Sequence, residues 1–468
     1  MRRLEKQIMS SQTADVVICG AGIAGISAAY YLTRDSAVRD VVLVDEGAPL
    51  SLTSDKSTEC YRNWWPGPGD AMVSMMNRSI DILDHLADES GNTFHLNRRG
   101  YLFATANSER VNDFRKQADD AASFGAGPLR IHDGSSNGLT YTPAPAGGYL
   151  NQPVGADLIT DANLIQTHFP YLAKDTVAVI HPRRCGWFSA QQLGMYMLER
   201  ARQNGARVIQ GHIDAVQVSG ERVSGVVIAG ESGSQVISTR HFINAAGPHL
   251  KSVGRLIDVD LPVFSELHAK ISIRDHLGVF PREAPLLIWS DPQALSWTEE
   301  ERQMLNETED TRFMLDPFPQ GVHARAEGPA DSPIVLILWT YHTEPIPPTF
   351  PIVVDPFYPE IALRGLARML PALEVYFERP PKPHIDGGYY TKTEENRPLV
   401  GPLPVEGAWV IGALSGFGLM ASPACGEMLS KQITGSDLPK YAPWFQLSRY
   451  EDPEYKDLLK SWEQTGQL

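Results

Sequence analysis

A chain of 468 residues with 43% hydrophobic side chains is long enough for two or three domains and apolar enough to build real cores. Its 41 basic and 56 acidic residues give a formal net charge of −15, which excludes nucleic acid or an anionic membrane as a general partner. No run approaches about 18 apolar residues, so no membrane span is expected, and cysteines at 19, 60, 185 and 425 have neither metal nor redox spacing. Unpaired cysteines fit a reducing compartment. Residues 1–13, with Arg2, Arg3 and Lys6, lack the apolar core of a secretory leader, so the expected location is cytoplasmic.

In chain order, Val16-Val17-Ile18-Cys19 predicts a buried strand, Gly20-Ala21-Gly22-Ile23-Ala24-Gly25 a tight turn, and Ile26 to Leu32 a helix. Val41 to Val44 predicts a second strand, ending in Asp45. Strand, glycine turn, helix, strand and acid form the fingerprint of a dinucleotide site. Gly20 allows the turn, Gly22 lets a pyrophosphate approach the backbone, and Gly25 lets helix and strand pack closely. The helix N-terminus offers free N–H groups and a positive dipole end to phosphate, and Asp45 suits a ribose diol.

Residues 69–90 predict an amphipathic helix with Met72, Met76, Ile80, Leu83 and Leu86 on one face. A strand is predicted over 99–105, a polar surface helix over 108–124, and a loop over 133–155, which is rich in Gly, Pro, Ser and Asn. A helix near 189–204 is closed by Gly205. Strand patterns follow near 207–218, 222–230 and 235–244, the last running into Ala245-Ala246-Gly247-Pro248. Between about 260 and 345 apolar and polar residues alternate as in a sheet, placing Glu266, His268 and Lys270 on one strand face. The acidic insertion 297–312 reads as a solvated helix. Six prolines in 343–359 impose an extended loop before a helix over 359–370. A last helix is predicted from Gly418 to Ile433, its N-terminus bared by Ser415, Gly416 and Gly418; beyond 440 the tail has no strong pattern.

Four ordered blocks carry a family resemblance. They are the Gly20–Gly25 turn with Asp45; Ala201, Gly205-Ala206-Arg207-Val208, Ile213 and Phe242 to Gly247; Gly387-Gly388-Tyr389-Tyr390-Thr391 with Pro398 to Pro402; and Gly412 to Gly426. In these the chain resembles the FAD-dependent amine oxidoreductases of the D-amino-acid oxidase superfamily, such as sarcosine oxidase, glycine oxidase and dimethylglycine dehydrogenase. The resemblance implies an α/β fold: a Rossmann-type, glutathione-reductase-like FAD-binding domain with a mixed β-sheet substrate domain. The FAD domain would be assembled from 13–95, 155–255 and 384–440, the substrate domain from 96–154 and 256–383, with 441–468 as a C-terminal tail. The implied cofactor contacts are Gly20, Gly22, Ile23, Ala24, Gly25, Asp45, Glu46, Ser54, Ile213, Ala246, Gly247, Gly412, Ser415, Gly416, Phe417, Gly418, Leu419 and Met420. No second glycine fingerprint occurs, so electrons are expected to come from a substrate touching the flavin rather than from a nicotinamide domain.

The resemblance also implies the catalytic residues. Arg62, in the polar and aromatic loop 47–69, falls where an arginine grips the substrate carboxylate, a task that its planar fork suits. A structural ion pair or a flavin contact remains the alternative. His342 matches a histidine flanking the substrate, and Tyr390 a pocket tyrosine. Trp64 and Trp65 line the pocket or pack the core, and Cys60 is a candidate tether or reactive thiol. Three positions depart from the family pattern. Met420 stands where a second cation holds the carboxylate, Leu338 where a lysine assists oxygen reduction, and Gly388 where a cysteine tethers the flavin, so FAD is expected to be non-covalent. Lys270 on a neighbouring strand is a candidate substitute cation. No metal is expected.

The expected reaction is oxidation of a C–N bond in a secondary or tertiary amine or an N-substituted amino acid. Hydride passes to flavin N5 and water hydrolyses the imine. Oxygen, an acceptor protein or a quinone takes the electrons. Two alternatives stay open: a dehydrogenase that serves only a protein or quinone acceptor, and a flavin-binding assembly protein of low turnover. Self-association also stays open.

Overall fold

Four consecutive apolar residues suit a strand covered on both faces rather than one half open to water. Val16, Val17 and Ile18 are accordingly fully buried at the centre of a six-stranded sheet. The computed structural model describes residues 12–34, 38–65, 67–135, 139–230, 233–460 and 462; the leader expectation for residues before 12 and the end of the 441–468 tail lie outside the described residues. The six-stranded sheet runs Arg207–Gln210, Val41–Asp45, Val16–Cys19, His241–Asn244, Ala408–Gly412, Leu399–Pro402; the first five are parallel and the last is antiparallel. Helices Ile23–Arg34, Ala71–Ser90, Ala190–Gln203 and Gly418–Thr434 share one apolar core with it, which includes the predicted Met72, Met76, Ile80, Leu83 and Leu86.

The second large sheet has nine strands and mixed direction. Its order is His384–Lys392, Phe264–Arg274, Ile334–Leu338, His323–Glu327, Leu286–Trp289, Tyr101–Thr105, Ala178–Pro182, Ala156–Ile159, Leu129–His132. Alternation splits its central strands between two surroundings. Val335, Ile337, Trp339, Ile271 and Ile273 enter a core beneath helix Tyr358–Met369, which leaves the intervening residues to the opposite face. The acidic insertion forms helix Glu299–Glu307 with no buried residue, started by a reciprocal cap between Thr298 and Glu301.

Two expectations meet a different chain path. The predicted 207–218 strand divides at Gly211, whose N–H donates to Asp45 O at 2.9 Å. Arg207–Gln210 stays in the six-stranded sheet, while His212–Ser219 enters a separate four-stranded one. The 235–244 segment divides likewise into Gly233–Ser238 and His241–Asn244. Ala156–Ile159, Ala178–Pro182 and His384–Lys392 all belong to the nine-stranded sheet. Short apolar runs specify a strand but not its partner. Among the described residues no helix is long and apolar enough to cross a membrane.

Candidate active site

The glycine turn is fixed by its backbone. Gly20 has φ +108°, and a Cβ there would lie 2.5 Å from Ala245 O; a Cβ on Gly25 would lie 2.0 Å from Gly20 O. The two glycines therefore let the turn press against the neighbouring strand end and the helix start against the turn. Asp45 braces the same turn: Oδ2 accepts from Ala21 N at 2.7 Å and Oδ1 from Gly47 N at 2.9 Å. A carboxylate keeps further lone pairs for a ribose diol. Ser54 Oγ accepts from Ile23 N at 3.0 Å, so this serine sits at the helix N-terminus, where a diphosphate would be received.

A pocket runs from this cradle to the C-terminal block. Gly22, Ile23, Ala24, Ser54 and Gly247 line one part, and Gly412, Ser415, Gly416, Gly418 and Leu419 another. Two helix N-termini thus face one pocket, as a dinucleotide with a diphosphate and an anion-forming ring requires. The residues fit FAD: the cradle would hold the diphosphate, and the start of helix Gly418–Thr434 the ring. Glu46 stands apart, exposed and 2.5 Å from His212 Nδ1, and Ile213 is buried in the core under the four-stranded sheet. Ala246 N donates to Asn244 Oδ1 at 3.3 Å beside Gly247.

A second pocket adjoins the first through Tyr390 and Gly416, which line both. Its walls hold Arg62, Trp65, Cys60, Tyr101, His268, His323, Leu338, Thr340, Phe417 and Met420. Arg62 arrives on a two-stranded ribbon, Cys60–Arg62 against Cys185–Trp187, with its guanidinium 4.4 Å from the centre of the Trp65 ring. It is 5% exposed, and burial lowers its pKa. Burial pushes the Cys60 thiol up to about 11, which makes it a poor nucleophile at neutral pH.

His268 is the pocket's most elaborately held group. Register pairs Lys270 with Leu338, so two residues along His268 faces Thr340, whose Oγ1 lies 2.8 Å from His268 Nδ1. His268 Nε2 lies 3.1 Å from Glu266 Oε2, and Lys392 Nζ lies 2.7 Å from Glu266 Oε1. The carboxylate accepts from Nε2–H, so Nδ1 accepts from the threonine hydroxyl. Tyr390 stacks on the imidazole at 4.1 Å and 18°. Burial lowers the His268 pKa against the pull of Glu266, which keeps the ring neutral at neutral pH. The Glu266 carboxyl, which burial alone would raise, is held below its ordinary value by His268 and Lys392.

His342 does not join this group. Its side chain is 68% exposed and lies 4.0 Å from Asp355. The strand ends at Leu338. Beyond it Trp339 N donates to Tyr358 OH, and the Trp339 and Tyr341 rings pack on Phe318, carrying the chain off the sheet. Lys270 lines neither pocket. Its Nζ donates to Asp55 O at 2.9 Å and Ser57 O at 3.4 Å, while Arg325 Nε donates to Thr58 O at 2.6 Å. These two sheet cations pin the loop that leads into Arg62. Sequence reading passed over Tyr101, His323 and Thr340. The signal for Thr340 was its parity with Leu338 on the strand; nothing local marks Tyr101 or His323.

A model of the FAD dependent oxidoreductases (DAO) matches residues 15–432. Dimethylglycine dehydrogenase, mitochondrial, of Rattus norvegicus is 23% identical over 436 residues, which are 91% of this chain and 43% of that protein. The protein of the same name from Mus musculus is 22% identical with the same coverage. The chain spans less than half the length of these curated relatives. The solved structure of L-proline dehydrogenase from P. horikoshii matches with a TM-score of 0.70 at 17% identity, covering 94% of this chain and 98% of that one. Glycine oxidase from Geobacillus kaustophilus matches with a TM-score of 0.69 at 16% identity, covering 94% and 99%. At such identities the likeness shows a shared fold, α/β with mixed sheets.

Proposed function

The chain belongs to the FAD dependent oxidoreductase family, and from that premise we propose that it oxidises a C–N bond of a secondary or tertiary amine or an N-substituted amino acid. The observation that carries this reading is the pocket of Arg62, His268, Thr340 and Tyr390, joined to the cofactor pocket through Tyr390 and Gly416. The likeness to glycine oxidase and dimethylglycine dehydrogenase supports an amine substrate.

When bound, FAD supplies the two-electron acceptor for hydride leaving the substrate's α-carbon. Arg62 holds the substrate carboxylate through its fork, with the apolar Met420 elsewhere in the same pocket wall. The ammonium form of the substrate loses a proton to Thr340 Oγ1, which passes its own to His268 Nδ1. Glu266 stabilises the charge that then forms on the imidazole. Tyr390, fixed by its stack on His268, seats the amine in the pocket. The N–H groups at the start of helix Gly418–Thr434 favour negative charge at the pocket's end. Water then hydrolyses the imine. Titrating the holoenzyme anaerobically with a panel of amines and amino acids while following flavin absorbance tests this reading. Bleaching by some member supports it, and a broad panel that leaves the flavin oxidised ends it.

A second reading concerns the electron acceptor. Leu338 lines the pocket where a cation would assist oxygen, and the neighbouring Lys270 ammonium is engaged by loop carbonyls. This favours a protein or quinone acceptor over oxygen. Peroxide formed at the rate of turnover would rule it out.

A further inference from the structure

We propose that His323 selects the substrate. Its Nε2 accepts the N–H of the neutral amine, so that the site prefers secondary amines to tertiary ones. The proposal rests on the amine reading above and sharpens it.

His323 opens the strand His323–Glu327 and pairs in register with Leu338, and both side chains line the Arg62 pocket. Its Nδ1 lies 2.8 Å from Gly321 O. A carbonyl oxygen can only accept, so Nδ1 carries the ring proton and Nε2 is left as a bare acceptor. Burial, with His268 and Arg62 close by, brings the imidazole down to about 4. At neutral pH it is therefore a hydrogen-bond acceptor and a poor base. His268 has a different task, because its Nδ1 already receives the Thr340 hydroxyl and its charged form is supported by Glu266.

Position favours His323 for reading the amine. In an α-amino acid the carboxylate and the nitrogen sit on one carbon. The group that reads the nitrogen must then lie beside the group that holds the carboxylate. Arg62 and His323 line the same pocket, and the facing nitrogen of His268 is already taken by Thr340. The reactive amine is neutral, since only that form offers the lone pair that drives hydride departure. A neutral secondary amine still carries one N–H for Nε2, whereas a neutral tertiary amine carries none. A buried acceptor left unmatched is the strongest way for a site to reject a close analogue.

Two flat, redox-inert carboxylates that differ by one N–H test this without turnover. Pyrrole-2-carboxylate and furan-2-carboxylate are titrated into the FAD-loaded protein, and binding is read by calorimetry and by perturbation of the flavin band. The pyrrole is expected to bind about tenfold tighter or better, corresponding to one well-made hydrogen bond. His323→Phe should erase the preference, His323→Gln should keep part of it, and Arg62→Met should weaken both ligands alike. Equal binding to the unaltered protein, a preference that survives His323→Phe, or failure of both carboxylates to bind would each overturn the proposal. A pyrrole preference lost in His323→Phe, with no amine oxidised in the panel, supports the acceptor at Nε2 and removes the amine reading alone. Equal binding alongside active amine turnover removes this inference alone.

Discussion

At the cofactor end of the joined pockets, the residues that matter are neighbours in the chain. Gly20 to Gly25 form one turn, and Gly412 to Leu419 form one strand end and helix start. At the substrate end, Arg62, His268, His323, Thr340, Tyr390 and Met420 come from six separate segments. The first end is specified by what the backbone must do locally, which only certain residues permit. The second is specified by register between distant strands, which any of several residues could satisfy. Substitutions should therefore act differently at the two ends: loss of the cofactor at one, loss of chemistry with the cofactor retained at the other.

The largest effect is expected at Gly25. A methyl group there would sit 2.0 Å from Gly20 O and 3.2 Å from the Ile18 side chain, so helix and strand must separate. Overpacking of this kind costs about 1–3 kcal/mol or more, concentrated where the diphosphate is held. Gly25→Ala should be purified without FAD, as shown by its visible absorbance, and should melt earlier. A fully loaded, equally stable variant would break the comparison at its firmer end.

Next is His268. Replacing it with Phe keeps a ring against Tyr390 but removes the proton acceptor, and kcat should fall roughly 10²- to 10⁴-fold with FAD still bound. The pH profile gives an independent check. Burial sets the His268 pKa below that of free imidazole, so activity should be lost as pH falls through that depressed value, where the ring takes up a proton. Glu266 raises the His268 pKa, so Glu266→Gln should move the acid limb to still lower pH. A limb that moved upward, or did not move, would separate Glu266 from the reaction.

Arg62→Met should come third. A charge-assisted hydrogen bond is worth about 1.5–3 kcal/mol, so kcat/KM for a carboxylate-bearing amine should drop roughly 10- to 150-fold. An amine without a carboxylate should be nearly indifferent. Equal losses for both substrates would mean that Arg62 supports the fold or the cofactor instead.

Legibility followed the same division. The glycine turn, Asp45, the Ala71–Ser90 helix and the Gly418 helix start could all be read because each depends on a local period or a backbone demand. Even the strand face of Glu266, His268 and Lys270 followed from alternation, although alternation could not say that His268 meets Thr340 while Lys270 reaches back to a loop. His323 was invisible because its relevance comes from pairing with Leu338 across the sheet. The C-terminal tail was unreadable for a similar reason. Arg449, Tyr450 and Tyr455 all converge on Glu395 Oε1, a buried contact that spans more than fifty residues and leaves no periodic trace.

The smallest expected effect is the most discriminating, because it sets the family resemblance against the geometry. The resemblance puts His342 beside the substrate, and spacing from Leu338 gives it the parity of Thr340. Parity holds only while the chain remains a strand. Once Trp339 and Tyr341 turn into the aromatic core with Phe318 and Tyr358, the chain leaves the sheet, and His342 emerges exposed near Asp355. Exposed substitutions away from a site typically change stability by less than about 0.5 kcal/mol, and kinetics should follow. His342→Ala should therefore keep kcat/KM within about twofold while His268→Phe loses orders of magnitude. The reverse result would mean that the segment after Leu338 folds back over the pocket when substrate binds, and that the neutral His268 pair only supports it.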